Sequence, residues 1–439
     1  MPGRSERRGW YFYDWANSAF NTSVTTVFLG PYLSEIAAAA ADAAGFVFPL
    51  GLRVRSGSFF PYVVSLSVLI QVVFLPLVGT VADRSSHKRR LLGHFAAVGS
   101  LATMALYFVV DERYLLGGAL FVVANVAFGC SIVVYNSFLP QVTHGMDPDT
   151  VSARGWALGY AGGGLLLLGN LVLLQMAPSL GLTTGDAVRI SLLSAGAWWG
   201  LFSLIPLRTL RSDPPTTTRV AGRNVVVIGW RQLSATAKEA RSFPQTLRFL
   251  VAYLLYNDGI QTVIVLAAVY GAEELLMEQD TLVLAILLVQ FIAIGGALLL
   301  GRLALSFGAK RVVLTSLVLW TVVVSIGYVL PSGNVAGFFA LSAAIGLVLG
   351  GSQSLSRSLY ARMIPPGREA EYFSFYEISE RGTSWLGPLL FGLALQVTNS
   401  YRVAILSLIA FFVAGGVLLA RVDVTRATAE SGNRVAADP

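Results

Sequence analysis

Gly79-Thr80-Val81-Ala82-Asp83-Arg84-Ser85-Ser86-His87-Lys88-Arg89 and Gly301-Arg302-Leu303-Ala304-Leu305-Ser306-Phe307-Gly308-Ala309-Lys310-Arg311 align without a gap. Each opens on a glycine, closes on a Lys-Arg pair and follows a long apolar run, once in each half of the chain. A short charged turn that recurs at the same place in a succession of hydrophobic runs marks a duplicated unit. The copies differ where charge matters: Leu305 and Ser306 stand where the first copy has Asp83 and Arg84. Any contact that needs the acid is therefore expected in one half only. Tyr13-Asp14-Trp15 and Tyr256-Asn257-Asp258 are a weaker echo of the same duplication.

Around the two copies, apolar runs fall at 11–36, 59–82, 91–110, 115–138, 154–177 and 187–206, then at 247–271, 281–304, 311–330, 334–358, 371–398 and 401–421. Each is long enough to cross a bilayer as a helix, which takes about 20 residues, and none shows the alternating ten-residue pattern of an outer-membrane strand. The expected fold is an all-α membrane protein of twelve transmembrane helices in two six-helix, pseudo-symmetric bundles. Composition agrees: 55% of the 439 residues are hydrophobic and only 13% charged, about half the charged share of a soluble domain, which is roughly one quarter. The first run lacks a small-residue cleavage site and is polar within, so it reads as a retained span rather than a signal peptide.

The 31 Lys and Arg residues gather in the short segments between runs. With both termini on one side, nearly all of them fall there, and Arg53, Arg55, Arg113, Arg189 and Arg402 are left on the other. The positive-inside rule then makes both termini cytoplasmic, and the net charge of +7 becomes a record of topology rather than a sign of nucleic acid. The expected organisation is a cytoplasmic N-terminus (1–10), an N-terminal bundle (11–206), a cytoplasmic linker (207–246), a C-terminal bundle (247–421) and a cytoplasmic tail (422–439), in a monomer. Within the linker, the segment from Arg231 to Arg241 reads either as a short amphipathic helix on the bilayer surface or as a disordered basic tether. Residues from Arg426 read as unstructured. The single cysteine, Cys130, excludes an intramolecular disulfide, and His87, His94 and His144 lack metal-ligand spacing, so neither metal nor cofactor is expected. No Gly-x4-Gly-Lys-Ser/Thr loop is present, which excludes a P-loop ATPase.

Polar residues inside apolar helices mark the working surfaces. Asp14, Asn17, Ser18, Asn21 and Thr25 share one helical face of the first run; Tyr253, Asn257 and Gln261, with Asp258 alongside, repeat along the seventh; Gln353 and Arg357 lie one turn apart in the tenth. Placing Asp at a helix centre in a bilayer costs roughly 2.5–3.5 kcal/mol on insertion scales, so these groups need partners or water. Asn17, Asn21, Asn257, Asp258, Gln261 and Gln353 are the candidates for solute contact, with interhelical hydrogen bonding as the alternative. Asp14, Arg357, Glu377, Glu380 and Arg381 are candidates for coupling or gating; a proton carrier and a structural charge network both fit. Asp14, shallower than the rest, also fits a helix-start residue. Gly155, Gly159 and Gly163 form a close-packing stripe in the fifth run.

The Gly-x-x-x-Asp-Arg turn with its trailing basic residues (Gly79, Asp83, Arg84, Lys88, Arg89) resembles the loop motif of the major facilitator superfamily. Gly79 permits close helix approach and Asp83 can meet the positive N-terminal end of another helix; the resemblance implies that this is the eleventh and that the contact holds a cytoplasmic gate shut. A solvated turn that only sets topology is the alternative. Tyr13-Asp14-Trp15-Ala16-Asn17-Ser18-Ala19-Phe20, Tyr256-Asn257-Asp258-Gly259-Ile260-Gln261-Thr262-Val263, Arg154-Gly155-Trp156-Ala157-Leu158-Gly159-Tyr160 and Gln353-Ser354-Leu355-Ser356-Arg357-Ser358 together resemble the vacuole effluxer family of that superfamily. The resemblance implies a permease with the first, fourth, seventh and tenth helices around a cavity and the third, sixth, ninth and twelfth toward lipid. It implies a small-molecule solute, in fungal members amino acids. Apart from the resemblance, Glu377, Glu380 and Asp258 leave protons open as a coupling ion, and no paired catalytic carboxylate, nucleophile with base or metal-ligand set points to an enzyme. The short loops and residue usage read as bacterial, which implies the plasma membrane. The competing readings are a proton-coupled importer of another metabolite and a non-transporting receptor or assembly factor on the same scaffold.

Overall fold

A computed structural model of the chain describes residues 3–143, 145–211, 242–381 and 386–433. Among the described residues, ten helices are long and apolar enough to cross a membrane: Ser56–Arg84, Lys88–Phe108, Tyr114–Val142, Pro148–Met176, Thr184–Thr209, Pro244–Ala267, Asp280–Phe307, Ala309–Val329, Val335–Arg362 and Tyr401–Ala420. The remaining two of the twelve crossings are built from pieces. The first runs through Arg4–Ala19, a π-helical stretch Phe20–Phe28 and Leu29–Ala39; the eleventh comprises Glu369–Arg381 and Leu386–Thr398. The chain is a multi-pass, predominantly helical membrane protein in two bundles of six. Large side chains such as Leu101, Leu201, Val318 and Val413 stand exposed on the third, sixth, ninth and twelfth crossings, the arrangement that lipid rather than water stabilises.

Several boundaries carry a visible cause. The fifth crossing starts where Asp147 precedes Pro148: the carboxylate accepts from the backbone N–H of Asp149 and Thr150, and proline at the first helical position gives up a donor that had no partner to lose. The sixth opens on a reciprocal cap between Thr183 and Asp186. Both ends of the described chain lie on one face of the bundle, the termini face. There Gly9 packs on Thr209 at the end of the sixth crossing, and Asn433 Nδ2 donates to the carbonyls of Arg362 and Ile364.

Three expectations change. The first crossing is longer than 11–36, and its π-helical stretch adds residues to a turn, so a face reckoned at 3.6 residues per turn drifts out of register there. Thr22 and Ser23 are buried while Asn21 is exposed. The tail is ordered beyond Arg426: Val424–Glu430 is a helix, begun by Asp423 capping the Arg426 N–H and held by buried Ala427. The loop after the first crossing is a small hairpin pairing Phe46–Val47 with Val54–Arg55. The amphipathic or tethering segment expected from Arg231 to Arg241 lies outside the described residues.

Candidate functional site

The seventh and tenth crossings meet through side-chain amides. Gln353 Nε2 donates to Asn257 Oδ1 at 3.4 Å, which leaves Asn257 Nδ2 and Gln353 Oε1 buried with no hydrogen-bond partner among the described residues. Asn17 Nδ2 on the first crossing is in the same condition. A buried polar group left unsatisfied costs about 1–3 kcal/mol, so each needs an account. Asp258, also buried and with both carboxylate oxygens unpartnered among the described residues, turns toward the eleventh crossing, where a Cβ at Gly387 would sit 3.1 Å from Oδ2. Gln261 is half-buried and Asn21 exposed. Of the six solute candidates, then, the structure joins Asn257 to Gln353 and turns Asp258 to a different neighbour.

One turn closer to the termini face, between the first and tenth crossings, lies a cross-half ion pair. Arg357 Nη2 reaches Asp14 Oδ2 at 3.1 Å, with side-chain exposures of only 4% and 11%. The same guanidinium donates to Ser152 Oγ at 2.9 Å, to the Ser152 carbonyl at 3.1 Å and to Asn136 Oδ1 at 3.5 Å. Asn136 Nδ2 in turn donates to Glu377 Oε1 at 3.0 Å, and Arg381 Nε donates to Glu377 Oε2 at 3.3 Å. Glu380 accepts from Tyr253 OH at 3.2 Å. The five charged candidates, Asp14, Arg357, Glu377, Glu380 and Arg381, thus occupy one neighbourhood where the first, fourth, fifth, seventh, tenth and eleventh crossings converge. Buried charges in such a position are tolerable only when paired and hydrogen-bonded.

Nearer still to the termini face are two junctions. Asp83, at the end of the second crossing, accepts from the backbone N–H of Ala370 at 3.0 Å and of Glu371 at 2.8 Å, so it caps a helix that belongs to the other half. Lys88 Nζ lies 2.9 Å from Asp83 and 3.8 Å from Glu369. Gly79 lets the two helices touch: a Cβ there would come within 2.5 Å of the Ala370 carbonyl oxygen. Arg84 is half-buried, and Arg89 Nη1 donates to the Leu210 carbonyl within its own half. The second copy of the turn also abuts the other half, since a Cβ on Gly301 would meet Ala153 Cβ at 2.6 Å, but Leu305 and Ser306 are exposed. The fifth crossing beside it is capped by its own Asp147. The halves are linked here by Arg362 Nη2, 2.7 Å from both Asp147 and Asp149, and by Ser358 bonding to Asp149. Lys310, the counterpart of Lys88, binds the carbonyls of Ala420 and Val422 inside its own half.

Between these junctions a cavity of about 1570 Å³ opens on the termini face, lined among others by Asp83, Lys88, Asp149, Lys310, Arg362 and Glu369. Asn257 and Gln353 do not line it, so it belongs to the junctions and not to the central amides. Sequence reasoning missed Asn136, Ser152, Asp147, Asp149 and Arg362. The dipeptide Asp147-Pro148 carried a helix-start signal that could have been used; the others are ordinary until the fold brings them together. The glycine stripe seats the fifth crossing on the first, with Gly155 against Asp14, Gly159 against Ser18 and Gly163 against Thr22.

A family described as "Vacuole effluxer Atg22 like" matches residues 2–432. An uncharacterized MFS-type transporter, YxiO, of Bacillus subtilis (strain 168) is 29% identical over 96% of this chain and 96% of its own. Autophagy-related protein 22 of Yarrowia lipolytica is 29% identical over 87% of this chain and 78% of its own. Among solved structures, a bacterial homologue of the iron transporter ferroportin in an outward-facing state superposes with a TM-score of 0.66 at 14% identity, over 95% of this chain and 98% of that one. The E. coli fucose:proton symporter FucP does so with a TM-score of 0.69 at 12% identity, over 95% and 98%. At those identities the superpositions speak to the fold alone, which is that of the major facilitator transporters. The chain belongs to the vacuole effluxer Atg22-like family, whose place is among transporters and not among enzymes.

Proposed function

We propose that the protein carries a small polar solute across the plasma membrane by alternating access, with both termini in the cytoplasm, and that amino-acid export is its principal activity. The observation that carries this reading is the set of buried amide groups with unmet hydrogen-bonding capacity, Asn17 in one half and Asn257 and Gln353 in the other. They lie one turn beyond the Asp14–Arg357 pair, on helices from both halves. A polar solute supplies the donors and acceptors that the protein does not. Asn21, Asp258 and Gln261 complete the solute-contacting set as its surroundings rearrange. The turn Gly79, Asp83, Arg84, Lys88 and Arg89 acts as the cytoplasmic gate, and Asp14, Arg357, Glu377, Glu380 and Arg381 form a lock beneath the solute that parts when the gate opens.

Purified protein in liposomes, tested for counterflow with pooled amino acids with and without a pH gradient, examines the proposal. Solute-dependent exchange is expected; absence of exchange for every polar solute pool would overturn it. A second reading has its own support. Glu377 and Glu380 lie one turn apart beside Arg381 and Tyr253, a grouping suited to carrying a proton between states. If exchange runs only down an imposed proton gradient and inward, the protein is a proton-coupled importer.

A further inference from the structure

Arg357 is carried by the C-terminal half, yet the groups that hydrogen-bond to or stack on its guanidinium belong to the N-terminal half. They are Asp14, Asn136 and Ser152 through hydrogen bonds, and Trp10, Trp156 and Tyr135 through their ring faces, at 4.7, 5.4 and 5.8 Å from Cζ to centroid. The enclosure is held together without Arg357. Trp10 Nε1 donates to the Tyr135 carbonyl at 3.2 Å, and the two rings stack with centroids 4.7 Å apart. Gly155 forms its floor: a Cβ there would fall 2.5 Å from Asp14 Oδ2, 2.7 Å from the Trp10 ring and 3.0 Å from Arg357 Nη2. Aromatic faces around a carboxylate are the chemistry that recognises ammonium and guanidinium groups.

We propose that this enclosure of Trp10, Asp14, Tyr135, Ser152 and Trp156 is a binding site for the cationic group of a solute, an ammonium or guanidinium, and that Arg357 is its built-in competitor. When the halves part on the termini face, Arg357 leaves with its own half. Asp14, whose one ion pair among the described residues is with Arg357, is then a buried carboxylate facing three rings with no counter-charge. A desolvated carboxylate in that setting must be compensated, and a solute cation does so. Closure returns Arg357 to the enclosure and displaces the cation toward Asn17, Asn257 and Gln353. The substrate class follows: solutes with a protonated amine or guanidine, a class that includes amino acids. This rests on the transport reading above for its consequence, though not for the binding chemistry itself.

The probe is methylguanidinium, titrated against purified protein by tryptophan fluorescence and by calorimetry. Arg357→Ala removes the competitor, and binding should tighten by at least about tenfold over the unaltered protein. The double variant Arg357→Ala with Asp14→Asn should lose that gain. Trp156→Leu, which removes one ring face but leaves the Asp14–Arg357 ion pair in place, should weaken methylguanidinium inhibition of counterflow, whereas the neutral isostere methylurea should not inhibit. Equal affinity in the unaltered protein, Arg357→Ala and the double variant would overturn the proposal; if Arg357→Ala does not fold, an unchanged inhibition profile in Trp156→Leu would do so. Binding that follows the expected order in a protein showing no counterflow would uphold the cation site and count against transport instead.

Discussion

The two copies of the glycine-led turn occupy equivalent places and close the termini face by different means. At the first, an acid on the N-terminal half caps a helix of the C-terminal half, through Asp83 and the N–H groups of Ala370 and Glu371. At the second, the helix that would need such a cap brings its own, Asp147, and the link across is Arg362 to Asp147 and Asp149. The two lysines diverge with them. Lys88 serves the junction, while Lys310 ties down the end of the last crossing through Ala420 and Val422. The two turns are similar in sequence, but the second has Leu305 in place of the carboxylate and offers packing surface, while the charges at its junction sit on neighbouring helices. The first junction depends on backbone dipoles, the second on side-chain charge.

That difference can be broken in graded steps. The largest effect is expected from Gly79→Val. The added atoms meet backbone at Ala370 and Glu371, which cannot swing aside as a side chain does, and overpacking of this kind costs typically 1–3 kcal/mol or more. Hydrogen exchange over residues 369–373 should rise to the level of an open junction, and counterflow should fall steeply. Asp83→Ala comes next: it removes a charged cap worth about 1–2 kcal/mol, so amide exchange of Ala370 and Glu371 should quicken by roughly tenfold. Asp83→Asn, which keeps an acceptor, should do less. Unchanged exchange in the alanine variant would show that the eleventh crossing does not depend on this cap.

Asp147→Ala removes a cap and one of the two carboxylates on Arg362. Because Asp149 remains 2.7 Å from the guanidinium, a loss of about 1 kcal/mol is expected, read as a drop in melting temperature without a change at residues 369–373. The smallest effect is assigned to Leu305→Asp. It restores the acid to the second copy, but the neighbouring helix already has its cap, so exchange near residue 149 should shift by less than about twofold. A strong protection there would mean that the second junction retains the first one's mechanism.

The architecture was legible before any coordinates. Run length, basic-residue placement and the repeat at Gly79 and Gly301 give twelve helices in two halves, because membrane insertion constrains length and charge directly in sequence. Asp14 and Arg357 could be picked out as charges in apolar helices for the same reason. That they meet could not, since they lie on crossings 343 positions apart and the pairing is set by tertiary packing. The aromatic enclosure was hidden too: Trp10, Tyr135 and Trp156 come from separate stretches of the sequence, and only the fold gathers them around Arg357. The exposure of Asn21 beside buried Thr22 and Ser23 could not be counted from sequence for a local reason, the π-helical stretch over Phe20–Phe28, which changes the helical period along that face. The ordering of residues 424–430 was missed because a short polar helix carries little periodic signal, and its stability comes from Asp423 and from the Asn433 contacts with Arg362 and Ile364.

On the proposed function, the halves are fastened together on the termini face by the Asp83 cap and the Arg357 enclosure, and transport requires both to release. The direct test is a pulsed electron paramagnetic resonance distance between spin labels at Arg90 and Arg421, exposed positions on opposite halves, after the single buried cysteine Cys130 is replaced by alanine. A single short distance is expected without further substitution, with a second, longer population appearing in Asp83→Ala and growing further in Asp83→Ala combined with Arg357→Ala. An identical distribution in all three proteins would contradict the claim.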